Sequence, residues 1–160
     1  MSNIQNTDRP NFASIMDDSP DHVEAPKARP VGPYIFTVGN PVRGKSRKKG
    51  TPFTEFPLRC IAAEDGVDPD ALEAAGGIEG FKTKITFYET EESIYRLDQF
   101  HEHCGIDLAT DNNSRRMRND MVVNATVLGV VEHEYPLDAD GNPDLTKEPF
   151  VRVNKTAPAD

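Results

Sequence analysis

The chain has 160 residues, enough for one modest domain, and carries 18 Lys and Arg against 27 Asp and Glu, a formal charge of −9. A balance of that sign argues against a polyanionic partner unless the basic side chains are segregated. No apolar run is long enough to span a bilayer and the N-terminus lacks the basic-then-apolar pattern of a secretory signal, so a cytoplasmic protein is expected.

The charges are segregated. Residues 31–63 hold six basic side chains against one acidic, and 112–131 hold three against one, whereas 64–111 hold three against thirteen. Five of the basic residues fall in the seven positions from Arg43 to Lys49. An acidic body with basic loops repels a polyanion everywhere except along one track.

Residues 1–30 contain four prolines, few large apolar residues and no sustained periodicity, so they read as a flexible arm, with Phe12, Ile15 and Met16 as the alternative of a short docking segment. The stretch "PYIFTVGN" (33–40) is a β-rich run ending in a turn signal, and the basic segment follows as a loop closing at Lys49-Gly50. "PFTEFPLRCIAAE" (52–64) alternates, placing Phe56, Leu58, Cys60 and Ala62 on one side and Phe53, Glu55, Arg59 and Ile61 on the other; Pro57 suggests an edge or a bulge. An acidic insert with one helical turn around Ala71–Ala75 leads to "FKTKITFYE" (81–89), the clearest strand, in which Phe81, Thr83, Ile85 and Phe87 alternate with Lys82, Lys84, Thr86 and Tyr88. The period then changes: Ile94, Leu97, Phe100 and Cys104 share a helical face, with Thr90 as expected N-cap and Gly105-Ile106 as a Schellman stop. A polar stretch containing Arg115, Arg116 and Arg118 leads to a long β run over 120–135 with a bend at Gly129. A turn-rich loop and a last strand over 149–156 complete the chain.

The order is β-β-β-α-β-β. This predicts a mainly β fold, a five-stranded OB-fold-like barrel over 31–157 with one helix between strands 3 and 4, a flexible arm before it and a short tail at 158–160. The rival is another small antiparallel sheet with one helix packed on it. In an OB-fold, strands 2 and 3 with the loops joining strands 1–2 and 4–5 form the usual binding surface. The candidate nucleic-acid-binding residues are therefore Arg43, Lys45, Arg47, Lys48 and Lys49 on the loop, Phe53 and Arg59 on strand 2, and Lys82, Lys84 and Tyr88 on strand 3. Single-stranded nucleic acid needs this mixture, since cations follow its phosphates and flat rings stack on its bases.

The succession "GPYIFTV", "SRKKGTPFTEFPLRC", "YRLDQFHEHCGID", "NDMVVNATVLGVVEHEYPLDADG" and "VRVNK" resembles phage-encoded single-stranded-DNA-binding-like proteins over roughly residues 32–157. The resemblance implies an OB-like fold and a role in phage DNA replication, repair or recombination, and it singles out the Ser46–Gly50 loop. Many such binders end in an acidic, aromatic-tipped tail that recruits partners. This chain ends "NKTAPAD", which leaves the acidic insert 64–79 as the alternative surface for phage or host replication and recombination proteins.

Other chemistry reads poorly. Two free thiols, Cys60 and Cys104, sit in apolar patterns and point to a reducing compartment. In "HEHC", His101 and His103 point about 200° apart on a helix and cannot readily share one metal ion. In "DADGNPD" (138–144) the glycine and the terminal glutamate miss the EF-hand positions, so a polar hairpin is expected. No nucleophile with a base, no P-loop and no spaced carboxylate cluster is present, so the chain reads as non-enzymatic and without a cofactor. The first expectation is a protein that coats single-stranded DNA. The alternative is a protein-interaction module, such as a recombinase accessory factor or host-defence antagonist, and exposed strand edges permit a homo-oligomer without requiring one.

Overall fold

The computed structural model describes residues 27–159; the expected arm, with Phe12, Ile15 and Met16, falls almost wholly outside the described residues, as does Asp160. Its last residues are tied to the fold. Arg29 donates to the carbonyls of Gly77 (2.9 Å) and Glu79 (3.0 Å) and lies over the Phe81 ring, while its own carbonyl bonds His133 Nε2 at 2.7 Å. The packed body thus starts before residue 31.

The strands are β1 (Gly32–Val38), β2 (Val42–Lys45), β3 (Pro52–Ala63), β4 (Lys82–Tyr88), β5 (Thr126–Glu134) and β6 (Phe150–Pro158). The helices are α1 (Pro69–Ala74), α2 (Ile94–His103) and α3 (Arg115–Met121). The architecture is mainly β, a six-stranded antiparallel sheet in the order β2-β3-β1-β5-β6 with β4 on the other edge of β3. The five expected strands are β1, β3, β4, β5 and β6, and the expected helix is α2, between β4 and β5.

The sheet is not closed. β4 and β6 approach each other, but no hydrogen-bonded ladder joins them. α2 packs against both: Arg96 lies over the Phe87 ring of β4 at 5.6 Å and donates from Nη2 to the Asn154 carbonyl of β6 at 3.0 Å, and His103 Nδ1 bonds Thr156 Oγ1 of β6 at 2.7 Å. Leu97 and Phe100 drop from α2 into the core, where Phe100 meets Phe56 and Phe87 at centroid distances of 4.8 and 5.1 Å. Tyr34 and Phe36 of β1 complete the aromatic interior with Phe81, and Tyr34 satisfies its hydroxyl by donating to the Pro30 carbonyl at 2.6 Å.

The end of α2 follows the sequence expectation. Gly105 takes φ +107°, Ile106 N–H bonds the His101 carbonyl and Gly105 N–H bonds that of Glu102, the Schellman arrangement. Its start differs: Thr90 Oγ1 accepts from Ser93 N–H in a turn that precedes the helix, which begins at Ile94. Pro57 sits mid-strand, where the edge of β3 passes from β2 to β1. Its carbonyl accepts from Gly39 N–H at 2.8 Å, so its ring nitrogen faces a junction with no ladder to interrupt.

Two stretches depart from expectation. The basic segment is not simply a loop, because Val42–Lys45 pairs with Pro52–Glu55 as one arm of a hairpin. Residues 120–125 are not strand either. Ser114 Oγ accepts from Met117 N–H and starts α3; Asn124 then takes φ 72° and β5 begins only at Thr126. Val122 and Val123 look like strand residues locally, yet Val122 serves as an apolar plug under a turn. At Gly129 the reason for glycine is proximity, since a Cβ there would stand 2.9 Å from Phe36 Cε2. The pairing irregularity falls one step later, between Val130 and Val131.

Candidate nucleic-acid interface

Alternation sends Thr54, Phe56, Leu58 and Cys60 of β3, and Ile85 and Phe87 of β4, into the core. The outward positions pair across the two strands as Phe53 with Tyr88, Glu55 with Thr86, Pro57 with Lys84, and Arg59 with Lys82. At about 3.3 Å per residue this row is about 20 Å long. β2 extends the same face, with Gly44 opposite Phe53 and Val42 opposite Glu55.

At one end of the row Phe53 and Tyr88 meet edge to face, with centroids 5.9 Å apart and planes at 67°. Tyr88 is 44% exposed and Phe53 is half-buried. Gly44 makes room for Phe53: a Cβ at residue 44 would stand 2.7 Å from Phe53 Cζ. The ring therefore lies across the β2 backbone and backs Tyr88.

The hairpin tip begins beside this pair. Ser46 closes it, donating its N–H to the Thr51 carbonyl (2.9 Å) and accepting Gly50 N–H at its carbonyl (2.9 Å) and Thr51 N–H at Oγ (3.0 Å). Gly50 adopts φ +65°, a left-handed value that favours glycine. Arg47, Lys48 and Lys49 are thus held out on a closed turn, exposed, and take no carboxylate partner among the described residues. With Tyr88, Thr90 and Ser93 they line an open hollow of about 500 Å³. At the far end of the row, Arg59 and Lys82 border a second hollow of about 270 Å³ with Thr37, Gly39, Pro57 and Asn124.

Seven of the ten expected site residues, Arg47, Lys48, Lys49, Phe53, Arg59, Lys82 and Tyr88, thus lie on the row or its tip without an ion-pair partner among the described residues. Three differ. Lys84 is on the row but its Nζ stands 3.2 Å from Glu55 Oε1, and Glu55 also accepts from Thr86 Oγ1, so the middle of the face is close to neutral. Arg43 pairs in register with Thr54, and Lys45 with Pro52, so both side chains leave on the other side of the sheet. Arg43 there meets Glu89, with Nη2 at 2.8 and 3.0 Å from the two carboxylate oxygens. The physical reason is the β2 pairing: in a loop all five cations could turn one way, but in a strand Arg43 and Lys45, two positions apart, share the face of Thr54 and Pro52, opposite the row.

The remaining motifs are engaged structurally. His101 is buried, its Nε2–H donates to Asn119 Oδ1 at 2.7 Å, and burial lowers its pKa below the ordinary histidine value. Cys104 carries a thiol that burial pushes up to about 12. Asp138 turns the 138–144 loop on itself, its Oδ1 accepting from Asp140 N–H and Asn142 N–H. Among the described residues no three His, Cys, Asp or Glu side chains gather around one point, and no helix is long and apolar enough to cross a membrane.

Sequence reasoning missed Gly44, Thr90 and Ser93 as parts of the interface, and it did not weigh Glu55 as a charge within the face. Glu55 was visible in the alternation itself, two positions from Phe53. Gly44 required the hairpin register. No protein-family model matches the chain, and no curated protein matches it at a significant level.

Proposed function

We propose that the protein is a non-enzymatic single-stranded-DNA-binding protein acting in phage DNA replication, repair or recombination. The outward row of β3 and β4, continued by the 47–49 tip, is the binding surface in this reading. The hydrogen-bonded path β4-β3-β1-β5-β6 suits a five-stranded Greek-key barrel of OB type, left open at the β4–β6 seam and bridged by α2.

The observation that carries the reading is the shared hollow. Exposed Tyr88, backed by Phe53, opens into the same space as three cations that have no carboxylate partner among the described residues. A base stacked on such a ring gains roughly 1–3 kcal/mol whatever its identity, and the adjacent phosphates release counterions from the tip. Both ends of the row are basic, so a strand lying along it meets cation, ring and cation in turn, which supports coating without sequence readout.

The test is fluorescence-anisotropy titration of labelled oligo-dT and a matched duplex at two salt concentrations. The single strand is expected to bind more tightly and to weaken as salt rises. Replacing Arg47, Lys48 and Lys49 with Ala should flatten that dependence. Equal affinity for duplex and single strand, or no binding at low salt, overturns the proposal. A second reading, the protein-interaction module, draws on the exposed carboxylates Glu64, Asp65, Asp70 and Glu73, and absence of oligonucleotide binding would favour it.

A further inference from the structure

Behind the basic hairpin lies a groove of about 340 Å³ that no sequence motif announced. Arg43, Arg115 and Arg116 line it with Ser114, Asn119 and one carboxylate, Glu89. Arg43 is held by Glu89, and Arg115 by Asp98 just outside the lining, through bonds of 2.8 and 2.9 Å from Nε and Nη2. The hydrogen bond from Arg115 holds the Asp98 carboxyl below the usual carboxylate range, so both partners stay charged. Both guanidiniums remain about half exposed, and Nη1 of each has no hydrogen-bond partner among the described residues. Arg116 is exposed and takes no carboxylate among them. Three positive charges thus face two negative ones, and the surplus belongs to Arg116.

The groove and the tip hollow are neighbours. The segment from Tyr88 to Ile94 divides them: Tyr88, Thr90 and Ser93 open to the tip hollow, Glu89 and Ile94 to the groove. We infer that the groove is a second station for the phosphates of the same single strand. A strand leaving the tip crosses the Tyr88–Ile94 divide, where the exposed Glu91 and Glu92 repel phosphate, and lays its next phosphates against Arg116, where the free Nη1 groups of Arg43 and Arg115 supply further donors. A planar guanidinium suits a phosphate because parallel N–H groups meet two of its oxygens. The inference rests on the single-strand reading and extends its path; it assigns the groove to phosphodiester backbone and not to bases, since no aromatic ring among the described residues lines it.

The path length makes this testable. Labelled oligo-dT of about 6 and about 16 nucleotides brackets the sites that OB-type domains cover. At about 0.1 M salt, losing one phosphate contact costs about fivefold in affinity and lowers the log–log salt slope by about 0.7. Arg116→Ala should therefore weaken the longer oligonucleotide about fivefold and leave the shorter one unchanged. Arg116→Lys should restore most of the loss, and Arg116→Glu should deepen it. An unchanged urea midpoint in these variants assigns the effect to binding. Equal affinity of Arg116→Ala and the parent for the longer strand, or equal weakening on both lengths, overturns the groove. If the parent binds neither length, the single-strand reading fails with it; if the parent binds both lengths and Arg116→Ala matches it on the longer one, only the groove has failed.

Discussion

Gly44→Ala is the sharpest test of how the aromatic end of the interface is built. The new Cβ would stand 2.7 Å from Phe53 Cζ and 3.2 Å from both Cε atoms, closer than packed carbons tolerate. Gly44 is not among the positive-φ glycines, so the backbone accepts alanine and the ring must give way. Alanine in a strand is favoured over glycine by about 0.5–1 kcal/mol. Against that stand about 0.5–1.5 kcal/mol for the Phe53–Tyr88 edge contact and about 1–3 kcal/mol of overpacking, the lower end applying to a half-buried ring. The net expectation is a loss of about 1 kcal/mol in the native background and a gain of about 0.5–1 kcal/mol when Phe53→Ala is already present. Urea denaturation of the four proteins in that double-mutant cycle measures both signs. In parallel, oligo-dT affinity should fall for Gly44→Ala by an amount that vanishes in the Phe53→Ala background. Additive effects, with the same loss in both backgrounds, would show that Gly44 does not act through Phe53 and would remove the supported-ring account.

Other outcomes follow from the same geometry. Tyr88→Ala should weaken oligo-dT by roughly 1–3 kcal/mol with an unchanged salt slope, measured by anisotropy, because a stacking surface is lost and no cation. Glu55→Gln should tighten binding and steepen the salt slope toward one further contact, about 0.7, by releasing Lys84 from its 3.2 Å partner; an unchanged slope would mean that Lys84 never meets a phosphate. His101 is buried beside Asn119 with its pKa lowered, so below the ordinary histidine value of 6.5 the unfolded chain binds a proton that the fold does not. Stability is therefore full above that pH and declines as pH falls toward the folded pKa, by at most about 1.4 kcal/mol per pH unit for the one proton. Urea midpoints followed from pH 7 downward should show that decline, and His101→Gln should flatten it between about pH 6.5 and 4.5, before the carboxylates titrate.

Local pattern alone determined much of this protein. Strict two-residue alternation identified β3 and β4 and the sides they bury, the 3.6-residue period identified α2, and Gly105-Ile106 marked its end, because each of these depends only on neighbours along the chain. The seven cations and rings that now lie along the row and its tip were legible for the same reason. What lay across the chain was not. The pairing of Val42–Lys45 with Pro52–Glu55 turned Arg43 toward Glu89, the Ser114 cap made the polar stretch before the long β run into α3 and left that run to begin at Thr126, and Gly44 acquired its role only when Phe53 was laid over it. The open β4–β6 seam, with Arg96 and His103 of α2 bonded to β6 beside it, was likewise visible only in the tertiary structure. Register, closure and the partner of each charge are set by contacts distant in sequence, and periodicity carries no information about which of two satisfactory partners a side chain will meet.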